Sequence, residues 1–155
     1  ELLTFDSSAT QNLQTTRQIS LSGEFTIGMR LNPDGMGTIP LADNTTAGEF
    51  IKFSTSSQMS IKIDNSQVDI TLNGGTTFGD NYLLISRDSS DLITLYVDGV
   101  KQTDTETLAG TADIDAIGVR RIDLNPYNGT MTEIQIYSDA NTTLTTNVNN
   151  YLAKL

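Results

Sequence analysis

Residues 96–102 read YVDGVKQ, an aspartate and a glycine set between two apolar, β-prone arms. A two-residue type I′ turn needs positive φ at both central positions, and Asp-Gly supplies them, so this heptad predicts a β-hairpin centred on Asp98 and Gly99. Working outward, residues 81–102 (NYLLISRDSSDLITLYVDGVKQ) put Ile93, Leu95 and Val97 on one face of a strand and Thr94 and Tyr96 on the other. The same alternation fills the chain on both sides. In residues 48–75 Phe50 opens one run, Ile61 and Ile63 carry a second, and Val68, Ile70 and Leu72 carry a third, which reads as a meander. Residues 16–35 give two runs broken at Ser22-Gly23 and stopped by Asn32-Pro33-Asp34-Gly35, while DIDAIGVRRIDLN (113–125) and GTMTEIQIYS (129–138) add two or three strands. Short strands at a spacing of roughly 8–12 residues predict an all-β, two-sheet antiparallel jelly-roll sandwich. Met131, Ile134 and Ile136 read as inward residues, yet 131 and 134 differ in parity. Burying all three requires a β-bulge near Thr132 and Glu133. Only TLTTNVNNYLAKL (143–155) breaks the pattern, with Leu144, Val148, Tyr151, Leu152 and Leu155 at helical spacing. This short C-terminal helix is expected to be a lid on a sheet edge or sandwich end, with a partner-binding helix as the alternative.

The composition supports this reading. At 155 residues, one domain spanning 1–155 is expected, and a start at Glu1 rather than Met points to a piece of a longer chain. Hydrophobic residues make up 37% and charged residues only 18%, the difference being filled by the Thr, Ser, Asn and Asp of short strands and polar turns. The formal charge of -10 disfavours nucleic acid and anionic lipid as partners. Cysteine, histidine and tryptophan are absent. Thiolate nucleophiles, imidazole bases, His-ligated metals and disulfides are therefore excluded. No apolar run approaches the ~20 residues of a membrane span.

The second half presents, in order, a strand ending LYVDGV, the segment IDAIGV, a loop NPYNG, and GTMTEIQIYS before a terminal LT....N.YL. This order resembles the laminin-G-like, concanavalin A-like lectin-glucanase superfamily, over residues 81–155 by motif and over residues 20–75 by pattern. The resemblance implies two antiparallel sheets, one concave, with functional loops at the rim, and it extends to versions of the domain attached to bacteriophage virion proteins. Many such domains carry a Trp on the strand before LYVDG. Here that strand reads NYLLISRD, and Tyr82 is the aromatic available.

Some members of the superfamily are glycosidases, whose retaining forms place two carboxylates on alternate strand positions facing one cleft. Glu133 is followed by Gln135 and Tyr137, and Asp113 and Asp115 have no Glu after them, so that pattern is not found and no catalytic residue is assigned. Binding is the stronger expectation. In RRIDLNPYNG, if Ile122 and Leu124 face inward, Arg121, Asp123 and Asn125 share the outward face and Tyr127 follows the stiffening Pro126. Guanidinium, carboxylate, amide and ring suit a sugar, whose hydroxyls take directional hydrogen bonds while its C–H face stacks on an aromatic. The alternative is salt pairing of the arginines and a Tyr127 that closes the core. In LADNTTAGE (41–49), Asp43, Asn44 and Glu49 offer hard oxygens to one weak calcium, against the reading of an ordinary polar loop. No cofactor is otherwise required. Sequons at Asn44, Asn128 and Asn141 matter only in eukaryotic secretion. The expected function is a noncatalytic carbohydrate-binding or adhesion module on a virion or cell exterior, contacting a glycan or cell-surface polysaccharide. A structural or decoration domain contacting other virion subunits is the alternative, with an endo-glycosidase third.

Overall fold

The computed structural model describes residues 2–9, 11–119 and 124–155. The predicted turn is present: φ is 50° at Asp98 and 76° at Gly99. It joins strands β9 (Leu92–Val97) and β10 (Val100–Thr107), and Val97 pairs with Val100 across it. The Asp98 carboxylate accepts hydrogen bonds from the Tyr82 N–H at 3.0 Å and Asn81 Nδ2 at 2.6 Å. That fastens the turn to strand β8 (Asn81–Arg87).

The remaining strands are β1 (Leu3–Phe5), β2 (Leu13–Leu21), β3 (Phe25–Pro33), β4 (Thr38–Ala42), β5 (Phe50–Thr55), β6 (Gln58–Ile63), β7 (Ser66–Thr71), β11 (Ala112–Ile117) and β12 (Gly129–Tyr137). Among the described residues they form two six-stranded sheets, ordered β1-β12-β3-β8-β9-β10 and β2-β11-β4-β5-β6-β7. The described strand pairs are antiparallel. Alternation decides which face is inside. Ile27, Met29, Leu83, Ile85, Ile93 and Leu95 of the first sheet pack against Leu41, Phe53, Met59, Ile61 and Ile70 of the second. Ile93, Leu95 and Val97 are buried as expected, whereas Ile134 and Ile136 are half-buried and flank the core. The expected bulge is there too, as a register shift between Met131 and Glu133 that brings Ile134 opposite Met29.

One end of the sandwich is closed by a charge. Arg87 is 0% exposed, its guanidinium donating to the carbonyls of Leu21, Gly23, Leu108 and Gly110 and lying 4.8 Å from the Phe25 ring centroid. A buried cation is costly unless hydrogen-bonded, and here the donors of the fork satisfy carbonyls from two loops at once.

The helix α1 (Thr142–Leu152) is capped by Asn141, whose side chain accepts from Leu144 N at 2.9 Å. It lies neither on a sheet edge nor at an end, which corrects the expectation. Val148 and Leu152 pack with Leu84 on the outer face of the first sheet, over β3 and β8. Gly28 makes that contact possible, since a Cβ there would sit 2.5 Å from Val148 Cγ1 and 3.1 Å from Leu152 Cδ1.

Candidate functional site

Two places carry the side chains the sequence singles out, and the fold builds a third. At the first, Arg121 and Asp123 lie outside the described residues. Asn125 is exposed, and its left-handed φ of 49° turns its carbonyl to accept from Ile39 N at 3.1 Å. Tyr127 corrects the expectation of a surface ring. It is 0% exposed, stands edge-on to Phe5 with centroids 5.8 Å apart, and donates its hydroxyl to Thr130 O. Burial pushes its phenol well above the ordinary range. A ring enclosed on both faces cannot stack on a sugar, so the alternative reading, a tyrosine closing the core, describes it.

The second place is the loop after β4. Asp43 and Glu49 are both buried, and their oxygens are turned inward to the loop's own donors. Asp43 Oδ1 accepts from the N–H and hydroxyl of Thr45, Asp43 Oδ2 and Glu49 Oε2 each lie 2.9 Å from Thr46 Oγ1, and Glu49 Oε1 accepts from Asp64 N. The Asn44 N–H is held by Asp115. Calcium requires six to eight oxygens converging on one point. Carboxylates already committed to backbone and hydroxyl donors do not fit that geometry, and no cluster of three metal-ligating side chains occurs among the described residues. The loop does contain a proton question. Thr46 has one hydroxyl proton and two carboxyl neighbours, so it can donate to only one of them at a time. Burial, aided by the Asp43 charge, raises the Glu49 carboxyl, whereas hydrogen bonds from Thr45 and Thr46 outweigh burial at Asp43 and lower it.

The carboxylates considered for glycosidase chemistry also have partners. Glu133, Gln135 and Tyr137 form a hydrogen-bonded row on β12, Asp113 accepts from Ser20, and Asp115 holds the Asn44 N–H.

The third place was not read from the sequence as a site. Pairing across the first sheet aligns Gln135, Gly28, Leu84 and Tyr96 in one row, with Tyr82 diagonal to Tyr96. Because α1 sits over Gly28 and Leu84, it leaves a cleft on its β9 side. This cleft has a volume of about 300 Å³ and is walled by Tyr82 and Tyr96 below and by Thr142, Thr146, Asn149 and Asn150 of the helix above. The YVDG turn contributes its floor, since a Cβ on Gly99 would lie 3.1 Å from the Tyr82 hydroxyl. Rings, hydroxyls and amides line it without a charged side chain. The legible signal was the helix itself: seven of its eleven residues are Thr or Asn, poor helix formers that the packing face does not explain.

Comparison with known proteins agrees with this architecture. The family described as the concanavalin A-like lectin/glucanases superfamily matches residues 6–144. No curated protein matches the chain in sequence. Similar solved structures include the binding domain of Paraclostridial mosquitocidal protein 1, with a TM-score of 0.64 and 15% identity over 97% of this chain and 42% of that one. Domain 4 of AbnA, a GH43 extracellular arabinanase from Geobacillus stearothermophilus solved with arabinotriose, has a TM-score of 0.61 and 16% identity over 85% of this chain and 67% of its own. Domains LG4-5 of the mouse laminin α1 chain give 0.62 and 11%, over 89% and 42%. The chain thus spans less than half of the mosquitocidal and laminin structures it resembles. With most of its length matched by the family and its two sheets in place, the chain belongs to the concanavalin A-like lectin/glucanases superfamily, in its laminin-G-like form.

Proposed function

We propose that the chain is a noncatalytic carbohydrate-binding module displayed on a cell or virus exterior, and that its contact is the cleft between α1 and the Tyr82–Tyr96 pair. The single observation that carries this reading is the lining of that cleft, two aromatic rings opposite a wall of hydroxyls and amides. A sugar buries its C–H face on a ring while its hydroxyls exchange water for directed polar groups, and a few such groups in a concave site set orientation. The arabinotriose bound to the arabinanase domain supports the choice of a saccharide as ligand class. Single-site affinity is expected near the ~1 mM level, about 4 kcal/mol, and multivalent display at a surface raises it.

A glycan array probed with the multimerised domain tests this. Selective binding that Tyr96→Ala removes, with the fold intact, is the expected result. Loss on Asn125→Ala instead would move the site to the rim, where Arg121 and Asp123 are its neighbours in sequence. A second reading, a decoration domain contacting other virion subunits, is favoured by β2, an edge strand whose residues are almost all exposed. Docking onto purified particles with no glycan bound would establish it in place of the first.

A further inference from the structure

Arg30 keeps most of its guanidinium idle. Its Nη2 lies 3.0 Å from Asp80 Oδ1, and among the described residues no carbonyl or hydroxyl takes its remaining N–H groups, whereas the buried Arg87 spends its fork on the carbonyls of Leu21, Gly23, Leu108 and Gly110. Arg30 stands two residues from Gly28, on the sheet face that α1 covers. There the ion pair borders a hollow of about 300 Å³ that Asn32, Thr130 and Thr132 complete, with Leu2 and Leu155 at its margin. All three polar residues are half-buried, and no hydrogen bond among the described residues engages their side chains. Elsewhere on the chain such groups are committed: Thr45 and Thr46 to Asp43, Ser20 to Asp113, and Asn73 to Thr103. Polar groups drawn away from bulk water normally find partners, so a guanidinium, an amide and two hydroxyls converging without them mark a place where a polar ligand is received. The hollow is also a neighbour of the tyrosine cleft. Register sets Arg30 directly opposite Tyr82 across β3 and β8, and Asp80 precedes Tyr82 by two residues, about 7 Å along the chain.

We infer, resting on the carbohydrate reading above, that the ligand is a saccharide chain rather than a single unit, and that a second unit of that chain binds in this hollow, two adjacent hydroxyls bridging Arg30 and Asp80. The ion pair sets a donor and an acceptor side by side, 3.0 Å apart. Adjacent sugar hydroxyls each donate and accept, so one takes an Arg30 N–H while its neighbour donates to Asp80. A carboxylate would pair with Arg30 but meet Asp80 as a like charge, and an ammonium group would meet the reverse conflict. A neutral diol suits both. Asn32, Thr130 and Thr132 supply the further donors and acceptors that orient the unit. From β9 beneath Tyr96 to β12 beneath Thr130 the two depressions cross three strand spacings, about 14 Å, more than one sugar ring spans. The guanidinium, carboxylate and amide expected of Arg121, Asp123 and Asn125 are thus brought together by Arg30, Asp80 and Asn32, through the pairing of β3 with β8.

The test measures affinity of the folded domain, by ligand-observed NMR, for arabino-, malto-, cello- and chito-oligosaccharides of one to four units. Wild type, Arg30→Met, Asp80→Ala and Tyr96→Ala are compared, with melting temperature recorded for each. In the best series wild type is expected to bind the three-unit chain about tenfold more tightly than the single unit, the gain from a few further hydrogen bonds to charged groups. Arg30→Met and Asp80→Ala are each expected to return the chain to the affinity of the single unit, while the single unit binds as before. An exposed ion pair contributes little to stability, so both variants should melt within about 2 °C of wild type, which separates a lost contact from a lost fold. If the chain binds no more tightly than the single unit, or if its gain survives either variant, the inference fails and the carbohydrate reading stands. If no saccharide binds, or Tyr96→Ala leaves binding of unit and chain unchanged, the cleft is not the sugar site and both fall.

Discussion

Gly28→Ala is the perturbation that most directly tests how the helix and the cleft are built. The new methyl would lie 2.5 Å from Val148 Cγ1, where ordinary carbon contacts are about 3.5–4.0 Å, so the helix must lift by about 1 Å or Val148 must leave its place. Overpacking of this kind costs about 1–3 kcal/mol. Against it stands the ~0.4–1 kcal/mol that replacing a glycine contributes by restricting the unfolded chain, since Gly28 is not among the residues with positive φ. The net expectation is a loss of about 1–2 kcal/mol. In a domain of this size that lowers Tm by about 2–8 °C. Urea denaturation of Gly28→Ala, Val148→Ala and the double variant supplies the cycle. Removing Val148 Cγ1 opens the space the new methyl needs, so the double variant should be more stable than the sum of the singles by at least about 0.5 kcal/mol. Saccharide binding should weaken in Gly28→Ala, because a lifted helix separates Asn149 from the tyrosines. An additive cycle, or a Gly28→Ala protein more stable than wild type, would refute the account of Gly28 as the seat of the helix.

Arg87→Met should cost about 3 kcal/mol or more in urea denaturation, because carbonyls of Leu21, Gly23, Leu108 and Gly110 lose their donors inside the fold, and Arg87→Lys should recover only part, one ammonium being unable to span them; a loss below about 1 kcal/mol would mean water replaces the guanidinium. Glu49→Gln should stabilise the protein at neutral pH. A carboxyl raised in the folded state holds its proton longer there than in the unfolded chain, so wild-type stability falls as pH rises from the ordinary glutamate range through the folded value. The advantage of the glutamine variant should accordingly vanish below that window, and an advantage independent of pH would locate its cause elsewhere. Asp43, lowered in the folded state, acts oppositely, with stability lost as pH falls through its folded value, and it is common to both proteins. Millimolar calcium added to chelator-stripped protein should leave Tm unchanged, since Asp43 and Glu49 are committed to the loop's donors; a concentration-dependent rise would show that the loop reorganises around the ion.

The residue order by itself determined the two-sheet sandwich, because strand alternation and turn chemistry are local. Asp98-Gly99 dictated its hairpin through backbone sterics alone, and the parity conflict of Met131 with Ile134 required the bulge before any partner strand was known. Strand β4 was less legible. Pro40 lacks an N–H and interrupts the run, and the sheet accommodates it with a register shift between Thr38 and Leu41. What depended on distant segments was left undecided by the sequence. Tyr127 carries a polar hydroxyl beside polar loop residues, and only the arrival of Phe5 and Phe53 on its faces makes it core. Nothing local marks Arg87 as buried, and only the carbonyls of two remote loops that converge on it make burial of its charge tolerable. The cleft is the same case. Tyr82 and Tyr96 are nearby in sequence, but Asn149 joins them only because Gly28, more than fifty residues away from either, leaves room for the helix to settle there. Period and turn type are properties of neighbouring residues, whereas a binding surface is a property of which faces the packing leaves uncovered, and that is fixed by volume and contact across the whole chain.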